Sequence, residues 1–493
     1  MKKFTFLFFL IIPAISFAQI YFGSPIAASN GGSVTASALN WETIEINPAN
    51  LGRPENHTFS LSVMNVALNF QDNGLNLTNK NVISELKGIG KQDSITPTER
   101  TQMYNAVTAP GGLNTSATIN WVAFSFTLPK IGGFGISLTD KIYAHAQVNP
   151  NAAKLITDFA GRKLDTKQDS AEFQSLLQAD APLLSESPAQ LLDGTNTGGY
   201  HYRELNIDYG RKLLTINIPS KGTGDASFEG SEYLNYNSQK ADNNSNPLII
   251  YGGIGVKPIW GLGSYSSTIS GTNSALNTEQ GTYVYSDNNY TSDILSNVFT
   301  ANGRGYGVDL GLTATYKKWA FAVSATDLGK ITWQNNSFNP YTLHLPPTDS
   351  FPILFNNNEK ILNYFLNHNP SNTGGAPNYT TELPSQFRTG ISYRVGKILT
   401  LSSDFVAPLN NVQGNLINPY IAVGAHFDFF RYFGVGIGYA TEKDFGNLLP
   451  LGIYINILFG IEIYVATNDA FAYINNQTGH VLSGEAGVKL LGF

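Results

Sequence analysis

Side chains capable of acid–base chemistry are few in this chain. His426 and Asp428 lie two residues apart, a spacing that places both on one face of a strand. As a pair they allow a hydrolytic site, and the alternative, which we favour, is a polar lining of a channel. The 7 histidines are scattered without the spacing of a metal site. The sequence therefore predicts no enzyme, no metal site and no cofactor.

Glycine spacing offers a second possible chemistry. Gly303, Gly305 and Gly307 alternate as in a phosphate-binding loop, but they lead into a strand and not into a helix, which excludes that interpretation. Asp309, Asp404 and Glu462 are likewise interpreted as charges lining a lumen.

The segment from Gly303 to Thr326 shows the element that must position such residues. Alternate residues form one apolar set, which is Tyr306, Val308, Leu310, Leu312, Ala314 and Tyr316. The other set is small or polar, so the period is that of a strand with two different faces. After a Lys317-Lys318 turn the alternation resumes from Trp319. Aromatic residues near the ends of the apolar face are typical of strands that cross a membrane.

Composition agrees with this interpretation. Only 13% of the 493 residues are charged, and the net charge is -6. A negative chain without a basic run disfavours a nucleic-acid partner. Cysteine is absent, which excludes disulfides and a lipoprotein anchor.

The first 18 residues are predicted to be a cleaved export signal. Lys2 and Lys3 precede an apolar run that ends near Ile12, and Ser16-Phe17-Ala18 is a small-x-small cleavage site. The alternative is an uncleaved anchor helix, for which the run is too short. After residue 18 no uninterrupted apolar stretch approaches ~18 residues, so a membrane would be crossed by strands.

We predict an all-β fold, a transmembrane antiparallel up-and-down β-barrel. Residues 19–56 form an N-terminal plug or leader, with a periplasmic tail as the alternative, and residues 57–493 form the barrel. The strand count is about sixteen, with fourteen equally allowed, and long connections carry helical insertions near 71–113, 149–198 and 327–383.

Short turns are predicted at one end of the barrel, most of them with a basic residue. The basic turn residues are Lys130, Arg211, Lys212, Lys257, Lys317, Lys318, Lys397 and Arg431. Two of these turns divide residues 200–218 and 248–269 into hairpins, and a polar loop at 220–246 connects those hairpins. The strand that begins at Trp319 is predicted to end at Thr326.

Two features give functional hypotheses. Gly434, Gly436 and Gly438 share an inner face and would let another backbone approach closely. Apolar faces in the predicted loop helices could form a hydrophobic capture site over the barrel, or pack together as a lid. The residues of this capture site are Leu155, Ile156, Phe159, Phe173, Leu176, Leu177, Ile361, Leu362 and Phe365.

Short motifs resemble the FadL-type outer-membrane barrels, especially the Bacteroidota branch with PorV-like proteins. They are Asn47-Pro48-Ala49 with Leu51-Gly52, the block 305–312, Asp327-Leu328-Gly329 and Leu383-Pro384-Ser385. The resemblance implies a fourteen-stranded barrel in the cell outer membrane with an N-terminal plug. It also implies passive transport of hydrophobic, fatty-acid-like molecules or, alternatively, a scaffold or accessory role in type IX secretion.

The same resemblance implies the partners. They are outer-membrane lipid, the barrel-assembly machinery and either a hydrophobic small molecule or secretion-system components, with no nucleic acid. Phe493 looks like the terminal aromatic residue that the assembly machinery recognises; Leu491 fits that signal and Lys489 does not.

Overall fold

The computed structural model describes the backbone of most of the chain. The described residues are 24–72, 101, 104–105, 107–108, 112–159, 193–218, 227–230, 246–268, 270–272, 275–278, 281–282, 301–334, 341–344, 378–396, 398–429, 432–443, 446–457, 461–474 and 481–490.

Fourteen antiparallel strands close into a barrel. They are β1 (Phe59–Asp72), β2 (Leu113–Leu128), β3 (Gly132–Gln147), β4 (Asn196–Ile218), β5 (Asn246–Thr268), β6 (Gly303–Tyr316), β7 (Trp319–Trp333), β8 (Gln386–Val395), β9 (Leu399–Pro408), β10 (Tyr420–Phe429), β11 (Phe433–Glu442), β12 (Leu451–Ile457), β13 (Ile461–Thr467) and β14 (Val481–Leu490). Each strand pairs with the next, and β14 pairs with β1 through Leu490↔Leu61 to Val481↔Gln71. Of the two predicted strand counts, fourteen is the one that the structure adopts.

The two predicted hairpins at residues 200–218 and 248–269 are wrong. The structure replaces each with one 23-residue strand, β4 and β5, which pair along their length. Gly210-Arg211-Lys212 and Lys257-Pro258 therefore lie within strands and form no turns. Strand β4 consequently ends, and β5 begins, at the end of the barrel that otherwise has short turns.

Strand β7 also differs from its prediction. It continues beyond Thr326 to Trp333, and Asp327 has a positive φ of 56° at a register shift against β6. This bulge places an extra residue in β7, so the alternation reverses beyond it. Lys330 is exposed as a result, whereas Ile331 and Trp333 are buried.

The predicted alternation within β6 and β7 is confirmed. Tyr306, Leu312 and Phe321 point outward, with exposed fractions of 58%, 49% and 47%. The opposite face of β6 is buried and consists of glycine, Asp309 and Thr313. An apolar outer surface and a polar interior are what a barrel needs to cross a membrane.

The remaining elements are short. The helices are α1 (Pro25–Ser29), α2 (Pro150–Phe159) and α3 (Phe471–Ile474), with 3-10 turns at Asn40–Thr43 and Pro48–Gly52. Short strands lie in the connections at Ser227–Gly230, Ser270–Thr272, Ala275–Thr278, Gly281–Thr282, Tyr341–His344, Tyr379–Glu382 and Gly446–Leu448. Among the residues that the structure describes, no helix is both long and apolar enough to cross a membrane.

Candidate functional site

Residues 24–56, here called the N-terminal segment, are held in turns by their own side chains. Ser24 caps α1 by accepting a hydrogen bond from the Ala27 N–H at 3.2 Å. Asn47 caps the second 3-10 turn in the same way, through the Ala49 N–H at 3.2 Å. Proline occupies the first turn of both elements, where its missing N–H costs nothing.

The Asn-Pro-Ala motif also attaches this segment to the barrel wall. The Asn47 amide donates to the Thr35 carbonyl at 3.1 Å and to the Thr313 hydroxyl of β6 at 2.9 Å. The Thr313 hydroxyl in turn donates to the Asn50 amide oxygen at 2.7 Å. Asn47 and Asn50 are fully buried, so replacing either would leave polar groups unpaired.

Glycines on four neighbouring strands make room for this motif. They are Gly133, Gly210, Gly253 and Gly311, and a Cβ added to any of them would collide with residues 47–51. Gly52 of the motif itself lies against the β4 backbone, where an added Cβ would be 2.6 Å from the Arg211 Cα. Backbone therefore packs directly on backbone along this wall.

The opposite wall receives the start of the segment. An added Cβ at Gly438 would lie 2.7 Å from the Asn30 carbonyl carbon, whereas at Gly436 it would meet the Ser29 side chain. The hypothesis that inner glycines admit another backbone is confirmed for Gly438, while Gly436 makes room for a side chain of the N-terminal segment. It is wrong for Gly434, where the Tyr454 ring occupies the space.

Asp404 and Arg388 hold the middle of the segment. One carboxylate oxygen of Asp404 accepts hydrogen bonds from the Val34 and Thr35 N–H groups, at 3.1 and 2.9 Å. The Arg388 guanidinium donates to the Gly32 carbonyl at 2.8 Å. Asp404 thus faces the interior, as predicted, and binds backbone of the N-terminal segment.

A layer of buried ions, here called the ion layer, crosses the lumen at Lys141 and Lys257. The Lys141 ammonium lies 2.9 Å from Glu45 of the N-terminal segment and 2.8 Å from Glu204 of β4. The Lys257 ammonium lies 3.0 Å from Asp309 and 2.5 Å from Asp327. Lys257 was predicted in a turn; it is instead fully buried between two aspartates.

Carboxyl groups outnumber ammonium groups in this layer. Asp208 of β4 is fully buried beside Asp309, and neither of its oxygens has a hydrogen-bond partner among the described residues. Burial by itself would raise the pKa of Glu45, but the Lys141 and Lys257 ammonium groups outweigh it and hold that pKa below its usual range. Glu45 is therefore charged, and it fixes the segment to β3 and β4.

Lys489 provides a second charged contact. Its ammonium lies 3.5 Å from Glu42 and 3.7 Å from Glu462. Burial raises the pKa of Glu42, because the lysine offsets the desolvation only in part. The residue that does not fit the terminal assembly signal thus faces the interior and contacts the N-terminal segment.

The His426–Asp428 pair lines the lumen, as favoured from the sequence. Its closest nitrogen and oxygen are 3.4 Å apart, and the Tyr454 hydroxyl also donates to Asp428. The Tyr454 ring stacks on His426 with 5.3 Å between ring centres. Both neighbours contact the Asp428 carboxylate, an arrangement that fits a polar lining of the lumen.

A buried aromatic cluster lies at the end of the barrel that has the long connections. Its members are Tyr143, Tyr200, Tyr202, Ile259, Ile331, Trp333 and Leu383. Tyr143 and Tyr200 have ring centres 4.9 Å apart, and Tyr200 and Tyr202 are 5.7 Å apart. Tyr143 and Tyr202 are each two residues from an ion-layer residue on the same strand face, which is about 7 Å. The aromatic cluster therefore lies directly above the ion layer.

The connection between β9 and β10, residues 409–419, folds over this cluster. The Tyr200 hydroxyl donates to the Gln413 carbonyl, and Gly414 packs against Tyr143 and Tyr200. Asn415 holds the connection by donating to the carbonyls of Ser385 and Asn410, at 2.8 and 2.9 Å.

The structure tests little of the predicted capture site. Leu155, Ile156 and Phe159 belong to α2, whose backbone is described at these positions. Phe173, Leu176, Leu177, Ile361, Leu362 and Phe365 lie outside the described residues, as do residues 1–18 and Phe493.

Sequence reasoning missed both the aromatic cluster and the ion layer. Two sequence runs that belong to strands have the composition of turns, so the sequence predicts turns there; they are Lys257-Pro258 and Gly210-Arg211-Lys212. A usable signal was present: Tyr143 and Lys141, like Tyr202 and Glu204, fall on one face at period two.

Three solved structures are similar to this chain over almost its whole length. The Ralstonia pickettii toluene transporter TbuX is 10% identical, covers 98% of this chain and 100% of its own, and has a TM-score of 0.41. A Pseudomonas aeruginosa FadL homologue is 8% identical over 96% and 98% of the two chains, with a TM-score of 0.42. The Pseudomonas putida toluene transporter TodX is 10% identical over 97% of each chain, with a TM-score of 0.37.

These values concern overall architecture, and what this chain binds depends on its own residues. No curated protein sequence matches the chain. A family of unknown function, DUF5723, matches residues 221–468, which is half of the chain. The chain therefore belongs to the DUF5723 family.

Proposed function

We propose that this protein is an outer-membrane barrel through which hydrophobic small molecules pass without an energy source. Its closed ring of fourteen strands with an apolar exterior supports a membrane location. Residues 1–18 act as the export signal in this proposal, residues 19–56 as the plug and residues 57–493 as the barrel.

The aromatic cluster is the observation that carries the proposal. Four large rings converge inside the lumen at the end with the long connections, although most inward positions of the barrel are small or polar. The cluster is buried beneath the 409–419 connection, so in this proposal it binds apolar molecules when that connection moves aside, because little else in the lumen competes for them.

The N-terminal segment is proposed to be the plug because it lies on the path through the lumen. An apolar molecule that leaves the aromatic cluster next meets the ion layer, to which Glu45 ties this segment. Charged groups at that depth oppose passage of an apolar molecule. Transport thus depends on movement of the segment or on a side exit.

The loop helices are proposed to supply the first contact. Leu155, Ile156 and Phe159 of α2 lie in the connection between β3 and β4, whose strands contribute Tyr143 and Tyr202 to the aromatic cluster. We include Phe173, Leu176, Leu177, Ile361, Leu362 and Phe365 in this capture site, and Phe493 as the assembly signal.

Uptake in a deletion strain tests the proposal. We would measure accumulation of a labelled long-chain fatty acid and a labelled monoaromatic hydrocarbon, with the intact gene, with Trp333→Leu and with residues 150–193 removed. The intact gene should restore uptake, and both variants should reduce it several-fold, since each removes apolar surface on the proposed path.

Trp319→Leu is the matched control. It makes the same substitution on the outer surface, where Trp319 is 41% exposed, and should leave uptake unchanged. Equal uptake in the deletion strain and the complemented strain would contradict transport, and the scaffold or secretion-accessory role would then be tested by identifying proteins that co-purify with the barrel.

A further inference from the structure

A concave groove interrupts the lipid-facing surface over β6 to β9. It has a volume of about 570 Å³, in the size range of ligand pockets. Its outward-facing lining includes Leu312, Ala314, Phe321, Thr389, Ser403 and Phe405. The groove is therefore on the outside of the barrel and separate from the lumen.

The strand register explains the groove. Neighbouring outward residues form two rows across the strands, Leu312↔Val323↔Thr389↔Phe405 and Ala314↔Phe321↔Ile391↔Ser403. Each row mixes large side chains with small ones, and the small ones are Ala314, Thr389 and Ser403. The Thr389 hydroxyl is satisfied because it donates to the Ala322 carbonyl at 3.2 Å. The depression thus accepts an apolar chain without exposing that hydroxyl.

Basic residues adjoin the groove at the short-turn end of the same strands. Lys317 and Lys318 form the β6–β7 turn, and the Arg394 N–H donates to the Lys318 carbonyl at 3.0 Å. The Lys317 and Lys318 side chains are exposed at the turn, whereas Arg394 has the parity of the inward residues Arg388 and Ser392. Lys317 follows Ala314 by three residues, a rise of about 10 Å along the strand. Positive charges that can bind a lipid head group therefore lie about 10 Å from the groove.

An aromatic pair between the groove and the basic residues marks the boundary between the hydrocarbon and the head groups of the membrane. Trp319 and Tyr393 pack with ring centres 4.5 Å apart, and aromatic rings of this kind settle at the boundary between hydrocarbon and head groups. Arg394 acts electrostatically on Glu55 of the N-terminal segment, which is paired with Arg53 at 2.9 Å, so its charge belongs to the inner side of the wall. Lys317 and Lys318 thus supply the positive charge at head-group depth on the outer side.

We propose that this face binds one anionic phospholipid, with an acyl chain in the groove and the phosphate against Lys317 and Lys318. Basic residues at a membrane surface attract anionic lipid in this way. A second copy of the barrel fits less well, because a two-fold contact would bring the same basic residues together at one depth.

Lipid titration followed by native mass spectrometry tests the site. Protein in neutral detergent is titrated with phosphatidylglycerol and with phosphatidylcholine of the same acyl chains. We expect one phosphatidylglycerol to bind more tightly than phosphatidylcholine. Replacing Lys317 and Lys318 together with Gln should weaken phosphatidylglycerol binding about 30-fold.

A second variant fills the groove. Ala314→Phe with Ser403→Phe should weaken binding of both lipids, whereas Ala425→Phe, an outward alanine outside the groove lining, should not. Lys130→Gln with Lys212→Gln is the charge control. Folding of each variant is checked by its shifted mobility on unheated gels, and the charge variant still decides the question if the filled variant fails to fold.

Three results would overturn the proposal. One is equal binding of the two lipids by the unaltered protein. Another is displacement of phosphatidylglycerol by inorganic phosphate together with full binding by the filled variant, since that would leave only an ion site. The third is a dimer that the filled variant abolishes, which would assign the groove to a second copy.

Discussion

The N-terminal segment contacts two walls of the lumen by different means. Towards β3–β7 it is held by directed polar contacts, in which Asn47 bonds Thr313 and Glu45 pairs with Lys141. Towards β10–β13 it packs by shape, with Ala27 and Ala28 against small residues of the wall and Asn30 against Gly438. Both walls receive the segment in close contact at glycines, and the first wall adds hydrogen bonds and ion pairs to that contact.

The two kinds of contact fail differently. Removing a partner from the polar wall leaves a buried charge or amide unsatisfied. Adding a methyl group at a glycine of the β10–β13 wall, such as Gly438, displaces the segment as a body. The following changes distinguish the walls, from the largest expected effect to the smallest.

Lys257→Met should have the largest effect. It leaves Asp309 and Asp327 buried without their shared cation, which costs about 3–5 kcal/mol of unfolding free energy. Urea unfolding of the barrel in lipid vesicles measures this cost. Lys212→Met, at an exposed position on β4, should change the free energy by less than about 0.5 kcal/mol. Equal losses in the two variants would deny the ion layer a structural role.

Gly438→Ala tests the opposite wall. The added methyl would lie 2.7 Å from the Asn30 carbonyl carbon, and overpacking of this kind costs about 1–3 kcal/mol. Gly484→Ala is the control, since an added Cβ meets nothing within 4 Å there. Protease sensitivity of residues 24–56 should rise in the first variant only; if it rises in neither, the segment does not depend on this contact.

Asn47→Ala should have a smaller effect, of about 1–2 kcal/mol. It removes the cap of the Pro48–Gly52 turn and the bond to Thr313. A double-mutant cycle with Thr313→Val measures the part due to that bond, by comparing unfolding free energies of the single and double variants. Strict additivity would show that the two side chains are not coupled.

The smallest expected effect is the pH dependence of stability, which should differ between Glu42 and Glu45 of the segment. The pKa of Glu45 is lowered, so its contribution to stability is present above its ordinary value and is lost as pH falls through the lowered value. The pKa of Glu42 is raised, so its contribution is present at low pH and is lost as pH rises through the raised value.

Glutamine at each position should therefore act in opposite directions. Glu45→Gln should destabilise the protein at neutral pH, whereas Glu42→Gln should stabilise it. The Glu42 difference should shrink as pH falls towards about 4, and the Glu45 difference should shrink only below about pH 4. Unfolding free energies measured across this range give the result. Changes of the same sign in both variants would contradict the charge assignment.

Much of the barrel could be predicted because strand alternation is a local property. Tyr306, Leu312 and Phe321 point outward, while Asp309 and Asp404 point inward, at the period of two that the sequence displays. Gly438 was also identifiable as a position where another backbone approaches, since glycine on an inner strand face leaves room for it.

The candidate site was less predictable, because its partners are distant in sequence. Lys257 and Asp327 are 70 positions apart, and Glu45 and Asn206 are 161 apart. No periodicity within either segment indicates that these side chains meet. The same limit applies to Tyr200 and Gln413, which join the aromatic cluster to the connection above it.

The sequence by itself determined the class of the fold, the outward and inward faces of most strands and the small, polar character of the lumen. Tertiary structure decided where strands end: pairing with β5 carries β4 through Gly210–Lys212, and pairing with β6 carries β5 through Lys257-Pro258. It also decided that a bulge at Asp327 turns Ile331 and Trp333 inward. The physical reason is that alternation is encoded within a strand, whereas strand length and register are set by the neighbouring strands that complete its hydrogen bonds.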